Sequence, residues 1–541
     1  MRNEIVAVIG VIVIVGVSLL APKLRVAAPI ILVLIGVGIS IIPGVQPIHV
    51  PASLILTVVL PPLLYASAIN LPLTDFRRNL GKITGLSVAL VFVSAFGTGL
   101  LLFSLFPELS MASAIALGAV ISPTDAVAAT SIGKRLGLPH RLTAVIEGES
   151  LVNDASALVL LRSAVAATAG AVSLWDVAGS FVYSVLMAAA VGAVVGAVTI
   201  FVRSKLSDPV LTTAVSFAVP FLAYVPAESV GASGVLSVVA AGLLTGHFSA
   251  KYFSASSRIS ERLTWRTLQF LLENAVFLIM GLQLKGLVEQ VVDKHLSVPQ
   301  AMYFGLLATG LLIIVRFVFV MPPTMFSEWR RKRRPPPRQT GLAVGDVPTG
   351  IPGGIVLSWS GMRGVVTLAA AQSLPESTPY RPQLILIAFT VAIVTLIVQG
   401  ATLPFVIRLT GIQRSSAADE SVEFASLVDR LQEAGNGLLD NPELVLPGGS
   451  LPDSGVVERV KHDARLRSQS AWETTVRLAD ESNPAPHEQY RELRLEVLRV
   501  ERETLLDVRD RGEFSSDALT RAHEMLDLEE SRLVQSQGST D

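Results

Sequence analysis

The sequence contains no cysteine. Disulfide bridges, a thiolate nucleophile and a cysteine metal site are therefore excluded. Charge is scarce as well: 16% of the 541 residues are Asp, Glu, Lys or Arg, against 51% hydrophobic. His49, His140, His247 and His295 all fall at the ends of apolar runs or between them. That argues against a zinc or haem site and against a histidine-dependent intramembrane hydrolase, so neither an enzyme nor a cofactor is expected. What the chain does have is long uncharged apolar runs and a mean hydropathy of +0.57. Those mark membrane helices rather than a soluble core.

The near-neutral net charge of −1 hides a partition. Residues 1–411 carry 28 Lys and Arg against 17 Asp and Glu, whereas residues 412–541 carry 15 against 27. A basic membrane domain, 1–411, is thus joined to an acidic, charge-dense tail domain, 412–541. Thirteen apolar segments of spanning length can be placed before residue 412. The first, Ile5 to Ala21, lacks a basic region beyond Arg2 and a cleavage site, so it reads as a retained span. Alternate connections hold 20 basic residues on one side and 4 on the other, which puts the N-terminus outside and the tail in the cytoplasm. The basic, Pro-rich 323–352 connection (EWRRKRRPPPR) reads as a topogenic loop facing the lipid surface rather than a nucleic-acid patch.

Two spans are interrupted by their own sequence. Ser122-Pro123-Thr124-Asp125 breaks the fifth, because proline removes a backbone donor and disfavours helix at the preceding residue. The twelfth carries Gly353-Gly354 and Gly361-Met362-Arg363-Gly364. The two lie seven spans apart, so inverted repeats of about 1–170 and 209–411 would bring them into matching positions, as in a transporter site.

The densest polar stretch is EGESLVND, Glu147 to Asp154, inside the sixth span. Charged groups at bilayer depth cost roughly 2.5–3.5 kcal/mol each on insertion scales, and mark function by default. On a helix Ser150 and Asp154 share a face, and Glu149 and Asn153 share the next one. All offer hard oxygen ligands suited to Na⁺, Li⁺ or K⁺. A carboxyl group removed from water holds its proton more readily, while a cation on the same oxygens favours ionisation. One carboxylate can then carry either ion but hardly both, which suffices for coupled exchange. The broken helix at Thr124 would add backbone carbonyl oxygens, and Asp125 is either a further ligand or the cap of the half-helix after Pro123. Arg363 needs an acid, Glu149 or Glu147, of which Glu149 is favoured. Glu273 and Asn274 in the tenth span and Arg316 in the eleventh read as an inter-span pair. Arg162 either extends the Asp154 face by two turns or snorkels to the membrane surface.

In the tail, Tyr490, Leu493, Val497, Val500, Thr504 and Val508 predict an amphipathic helix needing a partner, and Ser515-Ser516-Asp517 caps a second one to about Val534. The acidic tail faces a basic cytoplasmic surface, which suits docking or pH-dependent regulation; a solvated assembly domain is the alternative.

Four stretches, SPTDAVA (122–128), LPHRLTAVIEGESLVNDASALVL (138–160), FLLENAVFLIMGLQL (270–284) and SWSGMRGVVTLAAA (358–371), together resemble the bacterial NhaP-type sodium/proton antiporters of the cation:proton antiporter-1 family. LPPLLYASAINL (60–71) and the end of the tail fit as well. The resemblance implies an all-α polytopic membrane protein of about thirteen helices in inverted repeats, with two crossed, unwound helices and a cytoplasmic helical tail. It implies a homodimer in the cell membrane and an elevator-like or rocking core, serving pH and sodium homeostasis by exchanging Na⁺ or Li⁺ for H⁺. By motif, Asp154 binds cation and proton, Asn153 goes with electroneutral exchange, Asp125 and the Thr124 backbone lie at the helix crossing, and Ser150 is a further Na⁺ ligand. Glu149 and Arg363 match a structural ion pair. Where some relatives add a carboxylate from the third span, this chain has Ala66, Ser67 and Ala68. K⁺/H⁺ exchange and a cation channel are the competing expectations.

Overall fold

The computed structural model describes residues 2–24, 26–43, 50–106, 108–169, 174–333 and 350–412, and in the tail 417–441, 444–446, 450–477, 486–511, 522, 525–530 and 533. The chain divides into two compact units, Met1–Thr340 with Val347–Arg414, and Gly341–Asp346 with Ser415–Asp541.

The first unit is helical throughout its described residues. Its helices are α1 (Arg2–Leu24), α2 (Ala28–Ile41), α3 (Ala52–Asn70), α4 (Leu80–Leu105), α5a (Met111–Ile121), α5b (Ala126–Leu136), α6 (His140–Ala169) and α7 (Leu174–Ser204). They continue as α8 (Pro209–Ser229), α9 (Gly234–Tyr252), α10a (Ala255–Leu282), α10b (Leu284–Asp293), α11 (Val298–Lys332), α12a (Gly350–Trp359), α12b (Val365–Gln372) and α13 (Arg381–Leu409). Ten of the described helical stretches are long and apolar enough to cross a membrane, and Val8–Leu24 of α1, α2 and α12a are shorter apolar ones. Their outer faces expose large apolar side chains, such as Leu186, Val194, Val198 and Phe201 on α7. A soluble protein would bury these; here they face lipid, where a helix is favoured because it satisfies its own backbone. The chain is an all-α polytopic membrane protein.

Packing follows small residues. On α2 and α10a, Gly36 and Gly281 meet so closely that a Cβ on Gly281 would lie 2.3 Å from the Val33 carbonyl. Without a hydrophobic force between helices in lipid, such close backbone contact is what holds them together. Helices α4, α5 and α6 pack with α11, α12 and α13, which places both interrupted helices side by side in the middle of the unit.

The tenth span begins earlier than its hydropathy suggests. Ser254 caps α10a through the Ser257 amide, and the charged 258–266 stretch, which reads as a connection, is helical. Glu261 is buried there and pairs with Arg203 of α7 at 2.7 Å. That pairing makes a charged residue in the second turn tolerable in a buried position.

The tail unit contains α14 (Ala417–Leu439), α15 (Ser454–Arg477) and α16 (Pro486–Arg511). Asp453 accepts from the Gly455 and Val456 amides at the start of α15, and Lys461 reaches back to Asp440 at 2.8 Å. The expected amphipathic helix is α16, and its apolar stripe is left without a partner among the described residues. Tyr490, Leu493, Val497 and Val500 are exposed, whereas Leu498 is buried, as is Leu526 on the segment 525–530. Arg494 pairs with Glu529 at 2.7 Å, and Arg502 pairs with Glu530 at 2.7 Å and with Asp527. Ion pairs at positions 494 and 502 select the face, and Leu498 sits between them one turn from each. The expected cap at Ser515-Ser516-Asp517 lies outside the described residues.

Candidate functional site

The two interruptions cross. Helix α5 is open from Ser122 to Asp125 and helix α12 from Ser360 to Gly364, and the Asp125 amide donates to the Met362 carbonyl at 2.7 Å. Proline explains the first opening. In the second, tight contact explains the glycine at 364: a Cβ there would stand 2.0 Å from Asp125 Oδ2.

Opening a helix leaves unpaired amides at one new end and unpaired carbonyls at the other, with partial charges of opposite sign. Charged side chains answer both. At the start of α5b, Asp125 Oδ1 accepts from the Val127 amide at 2.8 Å, and Ser150 Oγ accepts from the Ala126 amide at 3.3 Å. At the carbonyl ends, Arg363 Nε donates to Ile121 O of α5a at 3.2 Å and Nη1 donates to Gly361 O. Its own amide donates to Thr395 Oγ1 on α13 at 3.0 Å.

Arg363 is therefore not the partner of Glu149, contrary to expectation. The Glu149 carboxylate takes both Nη atoms of Arg316, at 2.5 and 2.8 Å, with both side chains buried. Arg316 also donates from Nε and Nη2 to Leu357 O at 3.1 Å, so one guanidinium ties α6 to the last turn of α12a. Where an inter-span link of Arg316 to Glu273 and Asn274 is expected, Arg316 holds Glu149; Glu273 accepts from Gln269, and Asn274 bonds Phe270 O in its own helix. Arg363 is drawn to the exposed carbonyls of the crossing, while Arg316 faces Glu149 from α11.

From Glu149 the chain of hydrogen bonds continues inward. Thr124 Oγ1 donates to Glu149 Oε1 at 2.9 Å, and Asn153 Nδ2 donates to Thr124 Oγ1 at 2.9 Å and to Thr124 O at 3.0 Å. Thr124 O, expected as a cation ligand, thus already accepts one hydrogen bond. Asn153 Oδ1 is buried with no donor. Asp154 is 7% exposed and makes no hydrogen bond or ion pair among the described residues. Arg162 neither extends the site nor stays free: it pairs at 2.5 Å with Glu228 of α8.

Two buried polar groups on α13 went unremarked in the sequence. Thr395 holds the Arg363 amide, and Gln399, one turn on, is fully buried with neither amide atom hydrogen-bonded. Their spacing of four within an apolar run is the signal that could have marked them.

The tight seat of Asp125 yields a first expected outcome. Gly364→Ala should push the carboxylate off the Val127 amide. A lost cap costs about 1 kcal/mol, so transport should slow about fivefold if that energy enters the barrier. Vesicle flux measured beside a melting curve checks it; an unchanged rate would show that the carboxylate yields freely.

The comparisons with known proteins agree with one another. The family described as "Sodium/hydrogen exchanger, transmembrane" matches residues 9–409. The chain is 30% identical to an uncharacterised Na⁺/H⁺ exchanger of Mycobacterium tuberculosis, over 98% of this chain and 96% of that one. It is 28% identical to a sodium, potassium, lithium and rubidium/H⁺ antiporter of Bacillus subtilis, over 70% of this chain and 57% of that one. Among solved structures, a sodium/proton antiporter of Methanocaldococcus jannaschii superposes with a TM-score of 0.56 at 15% identity, covering 75% of this chain and 99% of that chain.

Proposed function

This chain belongs to the sodium/hydrogen exchanger family, and on that premise we propose that it exchanges Na⁺ or Li⁺ for H⁺, one for one, at Asp154. It is a multi-pass membrane cation/proton antiporter and not an enzyme; ion, stoichiometry, residues and motion make up the proposal. One observation carries it. Asp154 is a buried acid with no hydrogen-bond or ion-pair partner among the described residues, beside two broken helices whose end charges are already answered by Asp125 and Arg363. An ionised carboxylate in that position needs a cation, and without one it takes a proton. Ser150, Asp125 and Thr124 supply the neighbouring oxygens, and Asn153 contributes a buried Oδ1 that carries no charge of its own.

The cycle follows from competition. On the side of high Na⁺ the cation displaces the proton, the core carries the loaded carboxylate across by an elevator-like or rocking step, and on the other side the exchange reverses. Either loaded form leaves Asp154 neutralised, whereas a bare carboxylate is held back by the cost of moving it through lipid. With Asn rather than Asp at 153, one positive charge moves each way and the cycle is electroneutral. We further propose a homodimer with the N-terminus outside and the tail in the cytoplasm.

Flux in proteoliposomes with Na⁺, Li⁺ and K⁺ in turn, at several pH values and with the membrane potential clamped, tests this. Wild-type exchange should respond to Na⁺ and Li⁺ and be indifferent to potential. Asn153→Asp should make it potential-dependent, because a second carboxylate changes the charge carried per cycle. Potential-dependent flux in the wild type would refute the electroneutral reading. K⁺/H⁺ exchange is the second reading, favoured by the broad ion range in the name of the Bacillus subtilis relative; it predicts equal rates with K⁺.

A further inference from the structure

Behind the site helix lies a second cavity, of about 310 Å³, which the transport reading does not use. Its walls come from several helices: Val152 and Val159 of α6, Phe181 and Val185 of α7, Leu80 of α4, and Phe76 of the short helix Leu73–Arg78. Val152 and Val159 are two turns apart on one face of α6, and Asp154 projects from the opposite side. The cavity is apolar almost throughout and reaches the lower end of the size range typical of ligand sites. Phe181 packs edge-on against Phe92 at 5.5 Å. At Leu80, which is 43% exposed, the lining reaches the surface. Directly after Phe76 come Arg77 and Arg78, both exposed and, among the described residues, without an ion pair or hydrogen bond. They belong to the basic set that the positive-inside rule places at the cytoplasmic surface.

An apolar slot whose Phe76 wall is followed directly in the chain by two exposed arginines matches one kind of molecule in shape and charge. We infer that this groove binds an anionic phospholipid, an acyl chain lying between α6 and α7 and the phosphate resting on Arg77 and Arg78. Basic residues beside transmembrane helices on the cytoplasmic side recognise anionic headgroups by charge-assisted hydrogen bonds, which a zwitterionic lipid satisfies less well. The seated chain would contact the face of α6 opposite Asp154, so the lipid touches the helix that carries the exchange site without entering the ion path.

Native mass spectrometry of the full-length purified protein tests this directly, with phosphatidylglycerol or phosphatidylcholine added at equal concentration. Wild type should retain phosphatidylglycerol at least about fivefold more than phosphatidylcholine, a preference in the range of charge-assisted pairing. Arg77→Gln with Arg78→Gln should remove the preference; 18 of the 20 basic residues on that side remain, so topology is kept. Val185→Trp, which fills the slot from α7, should lower retention of phosphatidylglycerol, and Val88→Phe fills it from α4 should the first variant fail to fold. Equal retention of the two lipids by wild type overturns the inference. So does full retention by the arginine variant, which would remove the headgroup contact, or by a folded filling variant, which would remove the groove. The readout does not involve transport, so its failure is distinguishable from failure of the antiport reading.

Discussion

Asp154→Asn should reduce Na⁺-driven proton movement in proteoliposomes to the level of protein-free vesicles, while the protein folds as well as wild type or better. The two halves of this expectation come from the same observation. Asp154 makes no hydrogen bond or ion pair among the described residues, so no neighbour loses a partner when its charge goes. Removing an unpaired buried acid also removes a desolvation cost, which favours the folded state. The amide keeps the shape but can neither release a proton nor balance a cation. Asp125→Asn is the informative contrast. Asn caps a helix about as well as Asp, so the bond to the Val127 amide survives in that variant. If Asp125 serves only as the cap, exchange persists; loss as complete as in Asp154→Asn makes it a cation ligand. Retained exchange in Asp154→Asn would end the assignment of the site.

The second large effect lies in the buried pair. Glu149→Gln and Arg316→Gln should each destabilise the protein severely, by about 3–5 kcal/mol, the usual cost of leaving one buried charge without its partner. The loss extends further than the pair, since Arg316 also holds Leu357 O and Glu149 also accepts from Thr124. A double-mutant cycle distinguishes the two candidate arginines. Glu149→Gln combined with Arg316→Gln should show strong coupling, because each removal already forfeits the same two hydrogen bonds. Combined with Arg363→Gln the effects should be closer to additive, since Arg363 serves the carbonyls of Ile121 and Gly361. Midpoints of heat-induced aggregation in detergent give the ordering. A larger coupling with Arg363 would restore the pairing expected from the sequence.

That pairing shows where sequence reading stops. The EGESLVND stretch stands out as the candidate site because acids inside an apolar run are conspicuous by cost alone. Which arginine answers Glu149 is a different question. Arg316 and Arg363 are both single cations in apolar spans, and nothing in their local sequence distinguishes an ion-pair partner from a cap for carbonyls. In the tail, too, local period says less than tertiary contact. Period marked out the stripe from Tyr490 to Val500, but the face that became covered was selected by Arg494 and Arg502 reaching Glu529 and Glu530.

The sequence by itself determined the membrane class, the helical spans, the two interruptions and the acidic stretch that lies beside them. Each of these is a local property, set by hydropathy, by proline and by the cost of charge in lipid. Only the tertiary structure decided the pairing of Arg316 with Glu149, the seat of Arg363 on two carbonyl ends, the hydrogen-bonded chain through Thr124 and Asn153, and the apolar slot behind α6. These depend on which faces of distant helices meet, and an apolar helix in lipid carries little in its own period to say so.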